Sequence, residues 1–143
     1  DNLVDVLKFK VENGILKIEF TITSEEEMPF MLGYHPAFLL SDTGKETFTT
    51  SNKEYSLENI LTAGSNAFPI LETDKITLKN IDKKDLEITT KGFDNFMLWT
   101  EVNNMVCIEP ITQYTSYTNQ KFSEKNMSVL NGIITFSVSI KIL

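Results

Sequence analysis

One histidine and one glutamate stand out for the chemistry that they could do. His35 is the only histidine of the chain and lies in Gly33-Tyr34-His35-Pro36-Ala37-Phe38; Glu109 closes the apolar run Val106-Cys107-Ile108-Glu109-Pro110. An imidazole titrates near neutrality and can give or take a proton, and a carboxylate beside it supplies the complementary base. Pro36 pushes His35 to extended backbone, which stiffens its placement, and Gly33 would leave room for a ligand to approach. The alternative is a histidine hydrogen-bonded in a loop. Alternation over Val106–Glu109 puts Val106 and Ile108 on one face of a strand and Cys107 and Glu109 on the other. Pro110, with no N–H to donate, would end the pairing there and leave Glu109 at the sheet rim. The alternative for Glu109 is a solvated strand end, since the chain holds 20 acidic residues.

Other chemistries fit less well. Zinc takes about four ligands, mostly Cys and His, and the chain has one of each, so no metal is expected. Cys107 and His35 could form a nucleophilic pair, but a thiol in an apolar strand is more commonly a small buried hydrophobe. The six glycines are scattered and form no phosphate-binding loop. Aromatic side chains gather around the two candidates: Tyr34 and Phe38, Phe96 and Trp99, Tyr114 and Tyr117. Such rings can stack on the C–H faces of sugars, and core packing is the competing use, the stronger one for Phe38 and Phe96. Asp94, in Gly92-Phe93-Asp94-Asn95-Phe96, reads as a turn residue.

The elements that must position these residues are strands. Leu16, Ile18, Phe20 and Ile22 alternate with Lys17, Glu19, Thr21 and Thr23, and Asn13-Gly14 before them suits a two-residue turn with positive φ. Val4 to Thr23 is therefore predicted as a hairpin. Ile134, Phe136, Val138, Ile140 and Ile142 repeat the pattern, with Asn131-Gly132 expected as the turn before them. Shorter strands are expected at Met28–Leu32, Lys75–Leu78, Leu86–Thr90, Phe96–Thr100 and Met105–Glu109. The turn signals between elements are Gly64-Ser65-Asn66, Asn80 to Lys84, Gly92 and Asn103-Asn104. Leu57, Ile60 and Leu61 support a single helical turn. Many short strands with little helix indicate an all-β fold, a sandwich or barrel. The first hairpin needs strand partners on both sides.

The chain of 143 residues suits one domain with a real core. Its net charge of −7 repels phosphate backbones and anionic lipid, which argues against nucleic-acid and membrane partners. No apolar run approaches the roughly 20 residues that span a bilayer. Asp1-Asn2-Leu3-Val4-Asp5 has neither an initiating Met nor a signal-peptide pattern, so a cut or partial product is expected. A single cysteine fits a reducing, cytoplasmic setting.

Taken together, these motifs resemble the aldose 1-epimerase (galactose mutarotase)-like family, especially its LacX-like branch. Met28 to Phe38 is similar to that branch's "mpFsiGgHPAF" segment. Phe96 to Trp99 followed by Val106-Cys107-Ile108-Glu109-Pro110 is similar to its tryptophan strand and "vCIEPw". Glu124-Lys125-Asn126 through Leu130-Asn131-Gly132 follows its closing pattern. The resemblance covers nearly the whole chain and implies an antiparallel β-sandwich, the galactose mutarotase-like supersandwich, of which residues 1–143 would be the C-terminal part of a single domain. It implies interconversion of the α and β anomers of an aldose with no cofactor: His35 as general acid on the ring oxygen, Glu109 as general base on the anomeric hydroxyl. Tyr34, Trp99 and Tyr114 are then the expected substrate-binding residues.

Family members run to roughly twice this length, and their other half carries a further histidine and an arginine that nothing here replaces. Asp94 does not match the family's sugar-binding aspartate. Ile111-Thr112-Gln113-Tyr114 stands where an aromatic and a glycine are more usual. A non-catalytic carbohydrate-binding module is thus a second expectation. A half-domain completed by an N-terminal polypeptide or a homodimer partner is a third.

Overall fold

The computed structural model describes residues 4–114 and 127–143. Two antiparallel sheets face one another across an apolar core. β1 (Val4–Glu12) and β2 (Ile15–Phe30) form the expected hairpin, turning at Asn13 and Gly14 with φ of 52° and 74°. Glycine and asparagine tolerate this left-handed backbone, and its twist matches that of the flanking strands. β2 pairs onward with β11 (Ser128–Ile142), then follow β8 (Leu86–Lys91), β7 (Lys75–Lys79), β4 (Thr47–Thr49) and β5 (Glu54–Ser56). The smaller sheet has the order β3 (Ala37–Leu39), β10 (Met105–Ile111), β9 (Asn95–Trp99) and β6 (Phe68–Ile70).

Alternation decides what enters the core. Ile18, Phe136 and Val138 from the large sheet meet Phe96, Leu98, Val106 and Ile108 from the small one. Each such side chain, taken from water to full burial, contributes about 1.5–3 kcal/mol. Phe93 lies between the sheets, its ring against Phe20 and Phe136. The helix α1 (Leu57–Ala63) starts at a capping box: the Asn59 amide donates to Ser56 Oγ, and the Ser56 amide donates back to Asn59 Oδ1. It is longer than the single turn expected and buries Leu57 and Ile60.

Three local expectations are corrected. Asn131-Gly132 is no turn, because both lie inside β11, where the register shifts between Leu130 and Gly132. There Asn131 alone faces three residues of β2, Glu25 to Glu27, and Gly132 takes a φ of 108° at the irregularity. Met28–Leu32 is not a separate strand; its first three residues end β2, paired to Ser128, Val129 and Leu130. Pro110 does not end β10 but pairs within it, opposite Phe96.

Candidate active site

The segment 32–40 closes against 104–112 like a zip. Thr112 N–H donates to the Leu32 carbonyl at 2.9 Å, and Leu32 N–H donates to Thr112 Oγ1 at 3.0 Å. Gly33 then bridges Ile111, Tyr34 N–H donates to the Pro110 carbonyl at 3.0 Å, and Ile108 N–H donates to the Pro36 carbonyl at 3.2 Å. β3 continues the register as Ala37 opposite Cys107, Phe38 opposite Val106 and Leu39 opposite Met105. Between Gly33–Ile111 and Ala37–Cys107, the position opposite Glu109 belongs to His35. The two candidates are therefore cross-strand neighbours on one sheet face.

Their side chains meet. His35 Nε2 lies 3.0 Å from Glu109 Oε1, with the imidazole 65% exposed and the carboxylate side chain 18% exposed. Burial pushes the Glu109 carboxyl above its ordinary value, and His35 beside it pulls the other way. A carboxylate raised in this manner is a stronger base than a solvated one. Its imidazole partner has open space in which to turn toward a ligand.

Alternation sorts the remaining candidates. From Met31 to Leu39, odd positions are exposed and even ones half-buried. His35 and Ala37 accordingly share the outer face with Cys107 and Glu109, while Tyr34 and Phe38 turn inward. Tyr34 packs against the core, its ring 5.4 Å from that of Phe20 in an edge-on contact. Trp99 lies opposite Cys107 in the β9–β10 pair, half-buried, on the face that carries Glu109. Tyr114 is half-buried just beyond the Thr112–Leu32 clamp. Tyr117 and the Glu124-Lys125-Asn126 motif lie outside the described residues. Gly33 is exposed, and a Cβ there would come within 3.3 Å of Ile111 Cγ2, so the missing side chain eases the close approach of the two segments. Asp94 is exposed, its backbone carbonyl accepting from Thr73 N–H in the bend before β9.

Cys107, which alternation put on the face of Glu109, has its thiol in the same cluster. Donor atoms of His35, Cys107 and Glu109 all lie within 4.8 Å of one another, so the three residue types that zinc accepts do converge. Burial and then the Glu109 charge push the thiol further above its ordinary value. A protonated thiol and a carboxylate already bonded to imidazole both work against a resident cation. Thr112 fixes the start of the zip, a role that no sequence motif announces. Its signal was its position, two residues after Glu-Pro at a strand end, where a hydroxyl can replace ladder bonds.

No protein-family model matches the chain, and no curated protein does. Solved structures do. A galactose mutarotase related enzyme from Lactobacillus acidophilus aligns at a TM-score of 0.70 and 18% identity, over 99% of this chain and 66% of its own. A galactose mutarotase-like protein from Lactobacillus casei ATCC 334 aligns at 0.73 and 13%, over 96% of this chain and 62% of its own. The chain has the galactose mutarotase-like fold. A candidate aldose 1-epimerase from Escherichia coli K12 aligns at 0.75 and 12%, over 97% of this chain and 60% of its own. The mutarotase-like sandwich seen here thus spans 60–66% of the length of these three chains. Among the described residues, no helix is long and apolar enough to cross a membrane.

Proposed function

We propose that the chain carries the acid–base pair of an aldose 1-epimerase-like enzyme. The observation that supports this reading most is the 3.0 Å contact between the only histidine and a largely buried glutamate on an outward sheet face. A cyclic aldose entering between them exchanges that one hydrogen bond for two. Glu109 accepts the proton of the anomeric hydroxyl while His35 donates one to the ring oxygen. The bond between the anomeric carbon and the ring oxygen breaks, and the open-chain aldehyde forms. Rotation about the adjacent C–C bond exposes the other carbonyl face. Ring closure returns each proton along the same path and leaves the opposite anomer. The net reaction moves no electrons and needs no cofactor; Trp99 offers a stacking surface beside the pair.

On this reading residues 1–143 are the C-terminal part of one sandwich domain, acting on a monosaccharide in the cytoplasm. The shorter span of this chain beside its structural neighbours favours a second reading, a sugar-binding part completed by further polypeptide.

Polarimetry and NMR exchange on α-glucose and α-galactose, against a measured spontaneous blank, separate the two. The enzyme reading expects acceleration that falls by about 10²–10⁴-fold in Glu109→Gln and in His35→Ala. Equal rates in wild type and variants would remove the assigned roles. Sugar binding without acceleration would select the second reading.

A further inference from the structure

The large sheet carries a groove of its own on the side turned away from the core, across the sandwich from His35 and Glu109. It measures about 510 Å³, within the roughly 300–1,000 Å³ of small-molecule sites. Strand register builds it. Phe136 and Val138 enter the core, so Ser137 and Ser139 of β11 point the other way. Directly opposed residues share a face. Ser137 therefore stands between Glu19 of β2 and Lys91 of β8, and Ser139 between Lys17 and Thr89. Lys10 of β1 extends the second row opposite Lys17, and Glu12 closes the groove beside the first hairpin turn.

Two features leave the groove unsatisfied by its own residues. Ser137 is only 6% exposed and lines the groove. Among the described residues its hydroxyl has no hydrogen-bond partner, and neither have those of Ser139 and Thr89. A hydroxyl so far buried costs free energy unless something bonds to it. The charges are also unequal. Lys10 is held by Glu12 at 2.7 Å and Lys17 by Glu19 at 3.2 Å, whereas Lys91 has no carboxylate partner among the described residues. Three lysines against two glutamates make this groove positive in a chain of net charge −7.

We propose that this groove binds a small phosphorylated polyol, a sugar phosphate or a sugar-alcohol phosphate. The phosphate lies at the Lys91 end, where the ammonium and the Ser137 and Thr89 hydroxyls donate to its oxygens. The polyol runs toward the hairpin turn. Its hydroxyls donate to the carboxylates of Glu19 and Glu12, which keep their lysines, and accept from Ser139. Other ligand classes match less of the lining. A bare polyanion would face both carboxylates, a zwitterion finds no free carboxylate for its ammonium, and a neutral sugar leaves Lys91 unmatched. The site lies on the other sheet from the acid–base pair and does not depend on the function proposed above.

Amide NMR of the protein titrated with glucitol 6-phosphate tests this. The probe is a polyol phosphate without an anomeric carbon, so it is no substrate for mutarotation. Inorganic phosphate and glucitol serve as its two halves. Saturable shifts are expected at Thr89, Lys91, Ser137 and Ser139, with an affinity on the order of tenfold or more above that for either half. Lys91→Gln, at an exposed position, should weaken binding by roughly tenfold, and Ser137→Ala should weaken it by less. Inorganic phosphate that binds as tightly as the whole probe would reduce the groove to a patch for any anion and overturn the proposal. So would shifts centred on Gly33 to Ala37, wild-type affinity in Lys91→Gln, or no saturable shift at millimolar probe. None of these readouts involves anomer exchange, so the groove and the acid–base pair stand or fall separately.

Discussion

The two ends of the large sheet carry the same message with opposite outcomes. At one end Phe48, Leu78, Ile76 and Ile88 are fully buried in the common core; at the other Leu7, Phe9 and Val11 are open. Residue types and alternation are equivalent. The difference lies in the layer above, which among the described residues ends at β3. Alternation thus encodes which face of a strand is apolar, whereas burial depends on a partner layer recruited from elsewhere in the chain.

Mutations at the two ends test this contrast directly. The largest effect is expected at the covered end, where Ile88→Ala should destabilise the chain by about 2–5 kcal/mol in denaturant unfolding. Gly92→Ala should follow at about 2–4 kcal/mol, combining left-handed strain with overpacking. Gly92 has a φ of 87°, and a Cβ there would lie 2.3 Å from Phe136 Cδ1. Glu46→Ala should cost about 1–3 kcal/mol. Glu46 is wholly buried, and its Oε1 accepts from Ser41 N–H at 2.6 Å in the loop after β3. Burial pushes that carboxyl up, but its bonds to Ser41 prevail and hold it below the ordinary value; Glu46→Gln, which keeps an acceptor, should lose less.

The outer face gives a smaller, pH-dependent difference. Because burial raises the Glu109 carboxyl against the pull of His35, the folded chain holds that proton more tightly than the unfolded one. Its contribution is complete below the ordinary carboxylate value and is lost as pH rises through the raised value. Stability measured from acid to neutral pH should therefore favour Glu109→Gln progressively over wild type; the reverse trend would place the His35 attraction above desolvation. Smallest of all, Phe9→Ala in the 143-residue chain should stay within about 0.5 kcal/mol. A loss matching that of Ile88→Ala would mean that the open end is covered after all.

The hairpin was legible because two independent signals agreed: alternation over Leu16 to Thr23 and an Asn13-Gly14 dipeptide suited to a tight turn. The same dipeptide misled at Asn131-Gly132, since asparagine–glycine serves a turn or a bulge equally and the choice lies with the opposing β2. Strands β3 to β6 span three residues each, too short for a period to declare itself. β3, β6 and β4 exist because β10, β9 and β7 pair with them, and β5 because β4 does. At the candidate site, residue type and motif picked out His35 and Glu109, and β10's alternation gave the right face for Glu109. Their pairing depends on a long-range register that neither segment encodes alone. Tyr34 turns toward Phe20 for the same reason that His35 turns outward, adjacent positions on an extended chain having opposite faces.

The zip between segments 32–40 and 104–112 has a kinetic consequence. Closing a loop of roughly 70 residues costs about 4 kcal/mol in its length-dependent entropy alone. The local hairpin of β1 and β2 can form long before that cost is met. The imidazole and the carboxylate come within hydrogen-bonding distance only once the two distant segments have joined. Recovery of their contact during refolding would then track completion of the small sheet, and partially folded chains would hold both residues while lacking the pair.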